Sequence, residues 1–129
     1  MTATASVGDK VVRQLLPGKA IFELENCQLG EVTHQITLIA SSRRITAQCP
    51  LCQQQTHRVH SRYERKLTDL PWANYSITLQ LRVYKFFCIN ALCKRRIFTE
   101  RLDDVAVPWA RKTTRLAEKL MAIGKRVGW

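Results

Sequence analysis

The sequence predicts an α+β chain, a small β-rich, zinc-ribbon-like domain followed by a C-terminal α-helix. Three observations predict it. Cys49-Pro-Leu-Cys52 and the pair Cys88 and Cys93 are close cysteine pairs from distant points in the chain, the donor set of one tetrahedral zinc ion. Ile77 to Phe87 alternates in side-chain character with the period of a strand and runs straight into Cys88. Beyond Pro108 the period changes, with Leu116, Leu120, Ile123 and Val127 recurring at helical spacing.

Residues 1–10 are small and polar and are expected to fray, within a flexible segment over 1–19. The zinc-binding domain is expected over 20–107 and the helical region over 108–129. Val11 to Leu16 reads as a helical turn stopped by Pro17-Gly18, and Ile21 to Leu24 as a short strand. Val32 to Ala40 reads as a half-buried strand with Val32, His34, Ile36, Leu38 and Ala40 on its apolar face. His34 is expected there as a hydrogen-bonded packing residue rather than a ligand. Val59 to Leu67 reads as a strand, Asp69-Leu-Pro-Trp72 with Ala73-Asn74 as a turn, and Ile97-Phe98 as a short return strand. In the helix, Arg111, Arg115, Lys119 and Arg126 make a basic stripe beside the apolar one. Such a helix packs by one side and offers the other to phosphates, unless it is simply an amphipathic helix whose partner is another domain.

A lone Cys-x-x-Cys also serves redox chemistry, whereas two pairs at ribbon-like separation point to zinc. Pro50 stiffens the first turn, and four residues between Cys88 and Cys93 suit a zinc turn. Cys27, the fifth cysteine, is expected to be a small buried residue. His57 and His60 lie too close to Cys52 for a two-cysteine, two-histidine finger, which separates its pairs by about 12 residues. A zinc deaminase needs His-x-Glu, and neither histidine is followed by one. Four thiolates leave no open position for a catalytic water, so the single Zn2+ is expected to be structural. Asp69, Glu100, Asp103 and Asp104 form no catalytic set, and no catalytic residue is assigned.

Charge points to a polyanion. The formal net charge is +11, and before residue 41 Lys10, Arg13 and Lys19 are outnumbered by Asp9, Glu23, Glu25 and Glu31. The whole excess therefore lies in the zinc-bearing part, which favours nucleic acid over a merely solvated surface. The candidate DNA contacts are Arg58, Arg62, Arg65 and Lys66, then Lys94, Arg95 and Arg96 around the second cysteine turn, then Arg111, Lys112, Arg115 and Lys119. Tyr63 is placed to stack or to pack. The competing reading is a structural network pairing Arg62 and Arg65 with Glu64, Asp69 or Glu100. No apolar run approaches the ~20 residues of a membrane span, and no signal peptide is evident, so a cytoplasmic chain with reduced cysteines is expected.

In order and spacing, Cys49-Pro-x-Cys52, His60-Ser-Arg-Tyr63, Arg65, Asp69-Leu-Pro-Trp72, Phe87-Cys88, Cys93, Arg95-Arg-Ile-Phe98 and Glu100-Arg-Leu102 form one pattern. It resembles the N-terminal zinc-binding domain of bacterial insertion-sequence transposases of the ISL-three family. Ala110-Arg-Lys-Thr-Thr-Arg-Leu116 resembles the opening of the helix-turn-helix that follows there. The resemblance implies a part of a transposase that binds duplex DNA at the element's terminal inverted repeats, with Cys49, Cys52, Cys88 and Cys93 as zinc ligands. It also implies a downstream catalytic domain with three metal-binding carboxylates. The chain stops before that domain would begin, so the helix-turn-helix is expected to be truncated, the chain alone unable to cut or join DNA, and self-association to rest with the C-terminal domains. One departure is Gln53, where the family often has glycine, at a turn that can require positive φ. The alternative is a zinc-ribbon module that binds protein or RNA without sequence choice.

Overall fold

A computed structural model describes residues 12–126. Val11, Val127 and the expected frayed residues 1–10 lie outside them, as does the side chain of Arg126. A helical turn over 12–15 precedes β1 (Phe22–Gly30) and β2 (Gln35–Ser42). Two short strands, β3 (Ala47–Gln48) and β4 (Gln55–Thr56), then pair with each other alone. The long hairpin β5 (Val59–Trp72) and β6 (Tyr75–Phe87) follows, then β7 (Ile97–Thr99) and α1 (Thr114–Arg126).

β6 is the centre of the main sheet. One of its edges pairs along its length with β5, antiparallel. The other edge pairs first with β2, in parallel over Ser76–Arg82, and then with β7, antiparallel over Lys85–Phe87; β1 lies outside β2. Between β2 and β7 that edge has a seam at Tyr84, and Glu100 closes it. The Tyr84 N–H donates to Glu100 Oε1 at 2.8 Å, and the Glu100 N–H donates to the Tyr84 carbonyl at 3.0 Å. Ser42 Oγ, at the end of β2, donates to Glu100 Oε2 at 2.9 Å, and Arg44 stands 3.7 Å from the same oxygen. Burial raises the Glu100 pKa although the Tyr84 N–H, Ser42 and Arg44 all favour its ionised form.

Strand alternation gives β6 two buried faces. Ile77, Leu79, Leu81 and Val83 enter a main core with Phe22, Ile36, Leu38, Leu67, Leu102 and Val105. Phe86 lies on the opposite face in a second, smaller core with Cys49 and Phe98, its ring stacked on Phe98 at 5.9 Å. The main core reaches back to Leu16, inside the segment expected to be flexible.

Three expectations change. Residues 31–34 form a turn rather than the start of a strand, because His34 adopts φ 55 and leaves the extended region. Val32 is 95% exposed, and His34 stacks on Tyr75 at 5.2 Å with Nδ1 3.0 Å from Asn74 Nδ2, exposed rather than on a buried face. Asp69 to Trp72 continue β5, and the turn is confined to Ala73 and Asn74. The helix starts at Thr114, not near Pro108. Thr113 caps it by accepting from the Leu116 N–H at 3.3 Å. Leu116 is buried, whereas Leu120 and Ile123 are each 42% exposed, so the apolar stripe of α1 is packed best at its first turn. α1 runs to Arg126, the last described residue.

Candidate metal centre and basic surface

Each cysteine pair sits on a turn tied by its own backbone. The first is closed by the Gln53 N–H donating to the Cys49 carbonyl at 2.8 Å and the Cys49 N–H donating to the Gln54 carbonyl at 3.0 Å. The second leaves β6 at Cys88, whose N–H donates to the Arg96 carbonyl at 2.8 Å; the Cys93 N–H donates to the Asn90 carbonyl at 3.0 Å. The four cysteines picked out by spacing are the four that meet. Their Sγ atoms all lie within 4.8 Å of one another, with Cys49–Cys93 at 3.9 Å and Cys52–Cys88 at 3.6 Å. A tetrahedron with Zn–S bonds of about 2.3 Å has edges of about 3.8 Å. These separations also far exceed the ~2.05 Å of a disulfide. His57 and His60 stay outside the cluster, and His60 Nδ1 lies 2.7 Å from Ser61 Oγ.

Four adjacent thiols cannot all ionise without a cation. Hydrogen bonds from the Gln54 N–H and, less strongly, Asn90 and the neighbouring thiols outweigh burial at Cys52 and bring its pKa down to about 6. Cys88 is pushed up to about 12: the Asn90 N–H favours its thiolate, but burial and contact with Cys52, Cys49 and Cys93 prevail. A divalent ion removes this conflict, and its binding releases the remaining protons.

Gln53 stands at φ 66, the left-handed conformation that glycine adopts freely. Its side chain is exposed. Gln53→Gly is therefore expected to stabilise the zinc-loaded domain by about 0.5–1 kcal/mol, read as a higher urea midpoint with unchanged zinc stoichiometry. A lower midpoint would show that the turn gains from the glutamine side chain more than it loses in strain.

The sequence-predicted basic residues divide into two groups. Arg58, Arg62, Lys66, Lys94, Arg95, Arg96, Arg111, Lys112 and Lys119 are exposed. Arg58 lies over the Phe87 ring at 5.1 Å and Arg62 over the Tyr84 ring at 5.3 Å. Arg65 and Arg115, grouped with them as DNA contacts on sequence alone, are instead engaged inside the fold. Arg65 donates to the carbonyls of Val107 and Ala110 at 2.6 and 3.0 Å. Arg115 pairs with the buried Asp69 and donates to the Leu15 carbonyl at 3.0 Å. The structural network foreseen for Asp69 and Glu100 exists, but its arginines are Arg115 and Arg44; Glu64 accepts from Gln80 at 2.7 Å. Sequence reasoning passed over Lys85 and Arg101. Lys85 falls on the apolar face of the alternating strand, which hides it; its ammonium lies 5.2 Å from the Tyr63 ring.

Residues 45–93 match a family model, the zinc-finger of transposase IS204/IS1001/IS1096/IS1165. The match covers 49 of the 129 residues, and over that segment the chain is similar to this transposase zinc finger. The match begins just ahead of the first cysteine turn and ends on Cys93, so it takes in all four thiols. No curated protein and no solved structure matches the chain. The matched segment thus carries four cysteines placed to hold one zinc ion. No helix among the described residues is long and apolar enough to cross a membrane.

Proposed function

We propose that the chain is the DNA-binding N-terminal part of an insertion-sequence transposase, gripping duplex DNA at the element's terminal inverted repeats. Cys49, Cys52, Cys88 and Cys93 hold a structural zinc ion in this reading. The observation that carries it is the row of cations that the metal cluster and β5 bring into one frame. Phe87 donates its N–H to the Arg58 carbonyl while Cys88 donates to that of Arg96, so the two basic clusters flank one end of β6. From there Arg62 and Lys66 continue along the exposed face of β5, whose rise of about 3.4 Å per residue spreads them over a length comparable to several base pairs. The Thr68 N–H donates to the Arg111 carbonyl at 2.9 Å, which sets Arg111 and Lys112 at the far end of the row. Among the described residues none of these cations is in an ion pair with a carboxylate. Fixed, unpaired cations on a rigid strand suit phosphates.

The zinc-loaded chain is expected to enrich one site from random duplexes at about 0.15 M salt, where non-specific phosphate binding is suppressed. Neutralising Arg58, Arg62 and Arg96 together to alanine should weaken duplex binding and reduce the slope of log K against log salt by about 2.7, some 0.9 per lost phosphate contact. An unchanged slope would sink the interface. Leu51 and Leu92, 60% and 93% exposed at the tips of the two cysteine turns, favour a second reading as a protein-binding module, which that unchanged slope would support.

A further inference from the structure

Trp109 occupies a position that the local backbone reserves for glycine. Val107 to Ala110 make a tight turn closed by the Ala110 N–H donating to the Val107 carbonyl at 3.2 Å. Pro108 suits the second place in such a turn, and the third place takes positive φ when the turn is of type II. Trp109 fills that third place with φ 66. Internal packing does not explain it, because the indole is 90% exposed where aromatic side chains usually bury most of their surface. The turn is nonetheless held hard, since Arg65 donates to the carbonyls at both of its ends. A strained residue fixed by its surroundings and displayed to solvent is a signature of a working site.

Beside the indole lies a cavity of about 250 Å³ whose lining includes Lys85, Arg95, Thr99 and Arg101. The nearby carboxylates are turned to other partners, Glu100 inward to Tyr84 and Ser42 and Asp103 to Arg44. The concavity therefore offers three cations, one hydroxyl and one exposed aromatic face.

We propose that Trp109, with Lys85, Arg95 and Arg101, binds a single unpaired nucleotide, its base stacked on the indole and its phosphate held among the three cations. The inference rests on the nucleic-acid reading above and deepens it. An unpaired base is the fitting ligand because it has a free π-face, which a base stacked in duplex lacks. Arg95 belongs also to the proposed duplex surface, so the unpaired nucleotide would lie next to the grip on paired DNA.

The test compares three probes on the zinc-loaded chain by fluorescence anisotropy: a blunt duplex, the same duplex carrying a short unpaired thymidine overhang, and an oligothymidine of about eight nucleotides, a length within the site size of a small single-strand binder. The wild type is expected to prefer the overhang duplex over the blunt one by about 5- to 150-fold, the range of one aromatic stack. Trp109→Ala should erase that preference while holding blunt duplex within about twofold of wild type, and Trp109→Phe should restore part of it. Trp109→Gly, which relieves the backbone, should fold at least as stably and show the same loss, separating stacking from structure. Retention of the overhang preference in Trp109→Ala, or an equal loss on the blunt duplex, overturns this assignment and leaves the duplex reading standing. Failure of every probe to bind at low salt overturns both.

Discussion

Removing zinc is expected to unfold one end of this protein and leave the other folded. The end at risk is the second core, in which Cys49, Phe86 and Phe98 are the buried residues. Two buried phenylalanines contribute about 5 kcal/mol. Ordering the two cysteine turns and the β3–β4 ribbon costs about 1–2 kcal/mol per residue, so the apolar contribution falls far short. A structural zinc ion, with an apparent binding free energy of about 10–16 kcal/mol near neutral pH in small zinc modules, is of the size needed. The main core, by contrast, draws on β1, β2, β5 and β6 and contains none of the four thiols. Chelation, or Cys88→Ser, should therefore abolish protection against hydrogen exchange at the amides of Phe98 and the cysteine turns. Leu38, Leu79 and Leu81 should stay protected, and native mass should fall by one zinc ion. Global unfolding on chelation would show that the Glu100 seam couples the two cores tightly. Retention of one zinc by Cys88→Ser would remove that cysteine from the ligand set.

The cysteine spacing and the β6 alternation carried most of what could be read in advance, because both are local codes: two ligands per turn, and one side-chain direction per residue. The same alternation could not reveal that β6 buries both faces, since Phe86 follows Val83 out of phase and is buried only because a second core exists across the strand. Backbone sign was equally hidden. His34, Asp103 and Trp109 adopt positive φ without being glycine; His and Asp enter that region more readily than most residues, but nothing in the Trp109 side chain announces it. At Gln53 a signal was available, through the glycine that the family it resembles often has there. Partner choice among charges was the least legible. Arg65 and Arg115 look like their basic neighbours in sequence, and only the return of residues 107–115 against β5 commits them to carbonyls and to Asp69.

That return produces the second large effect. Asp69 is 1% exposed in its side chain, and three elements converge on it. Thr113 Oγ donates to Asp69 Oδ1 at 2.8 Å while capping α1, Arg115 Nε donates to the same oxygen at 2.8 Å, and a terminal Arg115 nitrogen reaches Oδ2 while another bond from it holds the Leu15 carbonyl. Burial works against the ionised carboxyl, but the hydrogen bonds from Arg115 and Thr113 prevail and hold its pKa below the ordinary value. Such a group stabilises the fold above the unfolded-state value of about 3.9, and the contribution is lost as pH falls through the lower folded-state value. Glu100, with its pKa raised by burial, acts in the opposite sense, favouring the fold as it takes up a proton. Asp69→Asn should therefore cost about 2–3 kcal/mol near neutral pH, less than a fully buried pair because the Arg115 side chain is 38% exposed. The gap to wild type should narrow as pH falls below the unfolded-state value and through the lower folded-state value, where wild type loses the same charge. Urea titrations of both proteins across that range check the sign, and a gap that stays constant with pH would mean that Asp69 acts through shape and hydrogen bonding alone. Loosening should appear first at α1, which the structure fastens to the sheet through Thr113 and Arg115 while most of its apolar stripe stays exposed.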